Sequence, residues 1–189
     1  GKLKNVKYTW VELDLNKRRD DFRPESHSPV NYDFKDIEIG DAIGTKGNWA
    51  LRKDLCLKNT YTNKNKLIGD SKDPKNVSLA TFKPSKILGL EIEKDERDWK
   101  EEWKQLRKQG NLFEAVKPIE TLIPKLPYKF YYKFLDDEGV PSKLMIEDWE
   151  IGALYWNCLR NADGDENVAL SKVKEKYETN FIANKDIYL

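Results

Sequence analysis

The first hydrophobic pattern along the chain is an alternation. Between Val6 and Leu15, Val11, Leu13 and Leu15 fall on one side, and Tyr8, Trp10, Glu12 and Asp14 on the other. Successive strand residues point to opposite faces, so the run predicts a strand with one buried face and one half-covered by aromatics. The polar stretch Asn16 to Asp21 closes it. Further short strands are predicted over 36–43 and 77–82 and, once Pro84 has interrupted the pattern, over 86–93. Asn48 is placed to cap a helix over 49–58 with Leu51 and Leu55 inward, and a second short helix is predicted over 64–70.

Trp99, Trp103 and Leu106 form a narrow apolar stripe in an otherwise charged stretch, which predicts a surface helix over 94–109 ended by Gly110. Glu93 and Arg97, and Glu96 and Lys100, are spaced as i, i+4 pairs along it. Pro118, Pro124 and Pro127 mark 111–127 as a linker. Beyond it Tyr128 to Phe134 reads as a strand, Asp136-Asp137-Glu138-Gly139 as a turn and Ser142 to Glu147 as the return. Asp148 then caps a helix over 149–161 with Trp149 packed and Ile151, Leu154, Tyr155, Cys158 and Leu159 inward. Asp165 caps a last helix with Ala169, Val173, Tyr177 and Phe181 inward. The fold class is α+β: a small twisted or barrel-like antiparallel sheet, followed by a β-hairpin and C-terminal helices. The expected division is a sheet-based domain over 1–110, the linker, and a hairpin–helix–helix module over 128–189.

Composition narrows the class. The 189 residues carry 34 Lys+Arg against 33 Asp+Glu, and the mean hydropathy is −0.80. No run approaches the ~18 apolar residues of a spanning helix. Six Trp, nine Tyr and seven Phe argue against wholesale disorder. Cys56 and Cys158 are unclustered, as expected of a chain in a reducing cytoplasm, and neither has the His or Cys neighbours of a metal site. The first residues lack the apolar core of a signal peptide. The chain opens on Gly1 and closes on Ile187-Tyr188-Leu189, so it reads as a piece of a larger fold whose last residues pair with something absent from this sequence.

Charge is balanced overall but not locally. Residues 46–86 hold ten Lys/Arg against three Asp, a formal excess of +7. A nucleic-acid surface needs cations for phosphates and aromatic rings for bases. Lys46, Arg52, Lys53, Lys58, Lys64, Lys66, Lys83 and Lys86, with Trp49, Tyr61 and Phe82 interleaved, have that composition. A solvated Lys-rich surface is the competing account. Trp99 and Trp103 are candidate anchors for a partner protein, against the alternative that they dock the helix on its own domain.

Catalytic patterns are weaker. Asp20 and Asp21 followed by Asp33-Phe34-Lys35 imitate the acidic pattern of a metal-dependent nuclease, with loose spacing. A hairpin–helix nuclease would need a general-base His at the hairpin, and the lone His27 lies elsewhere. Gly40, Gly44 and Gly47 match no phosphate-loop fingerprint. Asp148 and Glu150 are read as helix cap and dipole partner, and Arg23 and Glu25 as structural ion-pair formers. No metal site and no cofactor is implied.

Pro127-Tyr128-Lys129-Phe130-Tyr131-Tyr132-Lys133-Phe134, followed by Ile146-Glu147-Asp148-Trp149-Glu150-Ile151-Gly152-Ala153-Leu154-Tyr155, resembles a family of uncharacterised prokaryotic proteins. Phe22-Arg23-Pro24-Glu25-Ser26 and Phe82-Lys83-Pro84-Ser85-Lys86-Ile87 are further landmarks. The upstream regions more faintly resemble OB-type domains. Some relatives carry Cys and His in the hairpin turn; Asp136 to Ser142 has neither, so no metal knuckle carries over. The first functional expectation is a non-catalytic nucleic-acid-binding module, accessory to a separate effector in a prokaryotic cytosolic system, with defence against foreign DNA as one setting. A structural subunit of a protein complex is the alternative, and a metal-dependent nuclease ranks third.

Overall fold

The computed structural model describes residues 7–109 and 124–189. Among the described residues it is an α+β structure of helices and small, mainly antiparallel sheets, with no closed barrel. Among the described residues no helix is long and apolar enough to cross a membrane. Residues 1–6 and most of the expected linker, with Pro118 and Gly110, lie outside the described residues, as do the side chains from Leu106 on in that helix. The chain divides into two compact units: 1–85 with 136–140 and 188–189, and 86–135 with 141–187.

In the first unit the alternating run does not form one strand. It splits into β1 (Thr9–Glu12) and β2 (Leu15–Lys17), which join different ladders. β1 pairs antiparallel with β4 (Glu38–Ala42), and β2 with β3 (His27–Pro29). Val11 and Leu15, expected to be buried, are exposed, because two-stranded ladders have no second layer to cover a face. No residue from 7 to 59 is buried.

Helix α1 (Lys46–Cys56) opens with a left-handed turn at Gly47, Asn48 and Trp49, so Asn48 lies inside the turn and does not cap. Leu51 and Leu55 are exposed. α2 (Lys64–Asp70) forms as expected, and Asn63 accepts from the Lys66 amide at 2.9 Å. The strand expected over 77–82 shrinks to β6 (Thr81–Phe82), parallel to β5 (Thr60–Tyr61).

The deepest polar group of this unit is Asp136, a fully buried carboxylate. Its oxygens accept from the amides of Val140 (2.8 Å), Glu138 (3.0 Å) and Lys64 (3.3 Å). Asp137 accepts from the Thr62 hydroxyl at 2.7 Å and from the Asn63 side-chain Nδ2 at 3.0 Å. The turn sequence is therefore a lock for α2. Leu189 and Phe82 exchange both backbone hydrogen bonds, at 2.8 and 2.9 Å, which corrects the expectation that the last residues pair with something absent from this sequence.

The second unit holds the hydrophobic core. β7 (Lys86–Lys94), β8 (Tyr128–Leu135) and β9 (Pro141–Met145) form one antiparallel sheet in that order. Strand alternation puts Tyr128, Phe130, Tyr132 and Phe134 on its buried side. The opposite side carries charge, with Lys143 Nζ 2.7 Å from Glu91 and 2.5 Å from Glu93. α4 (Trp149–Asn161) and α5 (Glu166–Lys174) contribute fully buried Ile151, Tyr155, Ala169 and Val173.

The caps predicted for these two helices both form. Asp148 accepts from the Glu150 amide at 2.9 Å, and Asp165 from those of Asn167 (2.9 Å) and Val168 (3.1 Å). Trp149 is a correction: it is 72% exposed, because the first helical position after this cap lies on the outer side of α4. Asp148→Ala is expected to cost about 0.5–2 kcal/mol, read as a lowered urea midpoint at unchanged slope.

The apolar positions of the last helix recur every four residues, a spacing that drifts about 40° per step around an α-helix. After Val173 the chain widens into a π-helical segment, Glu175–Ile182, which winds less per residue and counters that drift. Tyr177 thus stays buried, its ring 5.0 Å from that of Phe181. Burial pushes the Tyr177 hydroxyl up to about 12.

The helix expected over 94–109 is shorter. α3 spans Glu101–Gln109, and Trp99 precedes it. Arg97 leaves its expected helical pairing and grips Glu166 through two bonds of 2.7 and 2.8 Å, while the Tyr128 hydroxyl donates to the same carboxylate at 2.6 Å. Arg97 and then Tyr128 hold the Glu166 carboxyl down at about 2, against an ordinary 4.5. A depressed folded-state value gives a stabilisation that is complete above the ordinary range and is lost as pH falls toward the folded value. Glu166→Gln is therefore expected to flatten the decline in stability from pH 4.5 toward pH 2, measured by urea midpoints. An unchanged decline would contradict this role.

Candidate nucleic-acid interface

The basic segment is built on short elements of the first unit, apart from Lys86, which starts β7 in the second. Its clearest assembly centres on Arg52. Ile43, just past β4, donates its amide to the Tyr8 carbonyl at 2.7 Å and accepts from Arg52 Nε at 2.9 Å. One residue thereby ties β1 to α1. The guanidinium lies 3.9 Å from the centre of the Tyr8 ring and 5.0 Å from that of Trp49, both within cation–π range.

Both rings sit on unusual backbone. Tyr8 has φ 57° and Trp49 φ 67°, a left-handed conformation that costs about 1–3 kcal/mol for bulky residues and recurs at functional sites. Both remain open, Tyr8 at 51% and Trp49 at 52% exposure. Trp10 is also exposed. Among the described residues no carboxylate pairs with Arg52, and only Nε of its five N–H donors has a protein acceptor. Lys46, Lys53 and Lys66 likewise form no ion pair among the described residues, and the first two lie in α1 beside this cluster.

The other expected residues divide. Lys58 is paired with Asp54 at 3.6 Å. The Tyr61 hydroxyl donates to Asp70 at 3.1 Å, and burial raises its pKa before that bond adds to the effect. Lys64 opens α2, its amide held by Asp136. The Lys83 ammonium lies 4.4 Å from the Tyr188 ring centre. Phe82 is withdrawn from the set. At 5% exposure, clamped to Leu189, it offers no face to a base. Tyr8 lies 38 positions before the basic stretch begins, so the charge pattern does not point to it. Its place among the aromatics of the opening alternation is the signal the sequence carries.

The candidate partner anchors are elsewhere. In the second unit Trp99 is half-buried and Trp103 is 56% exposed. With Asp95, Lys100, Lys125 and Lys129 they line an open cleft of about 340 Å³. Lys125 and Lys129 reach Asp95 at 2.9 and 3.3 Å, and Lys125 is the leading cause that holds its carboxyl at about 2.

The nuclease-like acids are engaged locally. Asp20 pairs with Arg18 at 2.5 Å, and Asp33 with Lys35 at 2.8 Å. Asp21 accepts from Arg23 Nε at 2.9 Å and from the Ser26 hydroxyl at 2.9 Å. Arg23 thus pairs within its own loop. His27 Nδ1 lies 2.9 Å from the Glu25 carbonyl, which can only accept, so this nitrogen donates. Among the described residues no group of three His, Cys, Asp or Glu side chains is placed to hold a metal ion.

No curated protein and no solved structure matches the chain. A family model described as Domain of unknown function (DUF8758) matches residues 2–58, the stretch that contributes Tyr8, Trp49 and Arg52. A second, described as Domain of unknown function (DUF8757), matches residues 60–189, more than half of the sequence, and the chain belongs to that family.

Proposed function

We propose that this protein is a non-catalytic nucleic-acid-binding module, accessory to a separate effector in a prokaryotic cytoplasm. The observation that carries the reading is Arg52, a half-buried cation held by a backbone carbonyl and two exposed aromatic rings, with no carboxylate partner among the described residues. A guanidinium with unused donors presents the fork that matches a phosphate. Lys46 and Lys53 add unpaired positive charge on the same helix. The free thiols of Cys56 and Cys158 are in keeping with a reducing compartment.

Titration of a fluorescent oligonucleotide at salt concentrations from 50 to 200 mM tests the reading. Phosphate contacts release counterions, so log K is expected to fall linearly with log salt, by about 0.7–0.9 per contact. Absence of binding at 50 mM salt overturns it.

A structural subunit is the second reading. It is favoured by the absence of any buried residue from 7 to 59 while Val11, Leu15, Ile39, Leu51 and Leu55 are exposed. A short segment that buries nothing of its own gains stability from association. No oligonucleotide binding at low salt, together with a stoichiometric complex with a separately purified protein, is the result that would select it.

A further inference from the structure

We infer that the Tyr8–Arg52–Trp49 cluster is a stacking site for unpaired bases, so that the ligand is a single-stranded nucleic acid; this rests on the nucleic-acid reading above. A duplex presents its phosphates and groove edges, with base faces hidden in the stack. A surface built for duplex phosphates needs cations and hydroxyls and gains nothing from open indole and phenol faces. Here two of the three side chains in the cluster are aromatic, both more than half exposed with the guanidinium already against them.

The left-handed backbone at Tyr8 and Trp49 points the same way. Neither ring is held there by burial in a core. The strain is offset by what keeps them beside Arg52: the Ile43 bridge, and the Trp49 amide donating to the Thr45 carbonyl at 3.1 Å. A ring fixed in place before the ligand arrives loses little freedom when a base stacks on it. Arg52 serves both parts of a nucleotide, with its plane for a base and its unused donors for a phosphate. Trp10, two residues from Tyr8 in the chain, is a further exposed ring.

The test uses three labelled 12-nucleotide ligands at one salt concentration: a single strand of mixed sequence, the corresponding duplex, and an abasic strand with the same phosphates. The single strand is expected to bind at least tenfold tighter than either of the others. Trp49→Ala and Tyr8→Ala should each weaken single-strand binding by about 5- to 150-fold and abasic binding by a clearly smaller factor, since the rings also help to hold Arg52. Trp49→Phe should restore most of the loss, since it keeps a π face, and unchanged circular dichroism separates these effects from misfolding. Equal binding of the base-containing and abasic strands, or of single strand and duplex, overturns the stacking site while leaving a phosphate-binding protein. Failure of all three ligands to bind overturns the nucleic-acid reading and this inference together.

Discussion

Replacing Phe130 by Ala is expected to destabilise the protein by about 3–5 kcal/mol, the largest stability effect of any single substitution considered for this chain. Phe130 is the third residue of β8, opposite Ile92 on β7, and almost completely buried. Its strand neighbours on the same face, Tyr128 and Tyr132, are tied outward by hydrogen bonds. Tyr128 donates to Glu166, and Tyr132 to the Tyr177 carbonyl at 2.8 Å. The sheet is thus pinned to the helices on both sides of Phe130 and cannot collapse freely into the space its ring would leave. Incomplete collapse places the cost toward the upper part of the range. In a chain of this length that corresponds to a melting temperature lower by roughly 6–20 °C. A shift below about 2 °C would mean that the second unit lacks the packed core described for it.

Arg52→Ala is expected to weaken oligonucleotide binding by roughly 10- to 150-fold, the size of a charge-assisted hydrogen bond together with the stacking it supports. Arg52→Lys should recover only part of this. It keeps the charge but loses the planar fork and the bond from Nε to Ile43. The two variants should differ in salt dependence. With Ala, the slope of log K against log salt is expected to shrink by about 0.7, one phosphate contact fewer on a single strand. With Lys it should stay near that of the natural chain. Equal affinity of all three proteins would remove Arg52 from the interface.

The second unit was legible in the sequence because its signals agree. In β8 the alternation buries every second residue, and Asp148 and Asp165 start α4 and α5 as their spacing predicts. The failures follow from neighbours that a local pattern does not contain. Trp149 reads as core by residue type, yet its place at the first position of α4 leaves it outside. Arg97 reads as an i, i+4 partner, and a carboxylate 69 positions away takes it instead. In the first unit the alternating run is divided between two two-stranded ladders, so Val11 and Leu15 stay open. The candidate site shows the same split. Trp49 and Arg52 were legible as an aromatic and a cation in a basic stretch. Tyr8 joined them only through the pairing of β1 with β4 and the Ile43 bridge.

Photo-crosslinking of a single-stranded oligonucleotide to the natural chain, with the attached residues located by mass spectrometry, tests the central claim most directly. The account predicts crosslinks at Tyr8 and Trp49, with Trp10 as a further position, all suppressed by excess unlabelled single strand. Crosslinks confined to residues 86–135 or 141–187, around Trp99 and Trp103 for example, would contradict it.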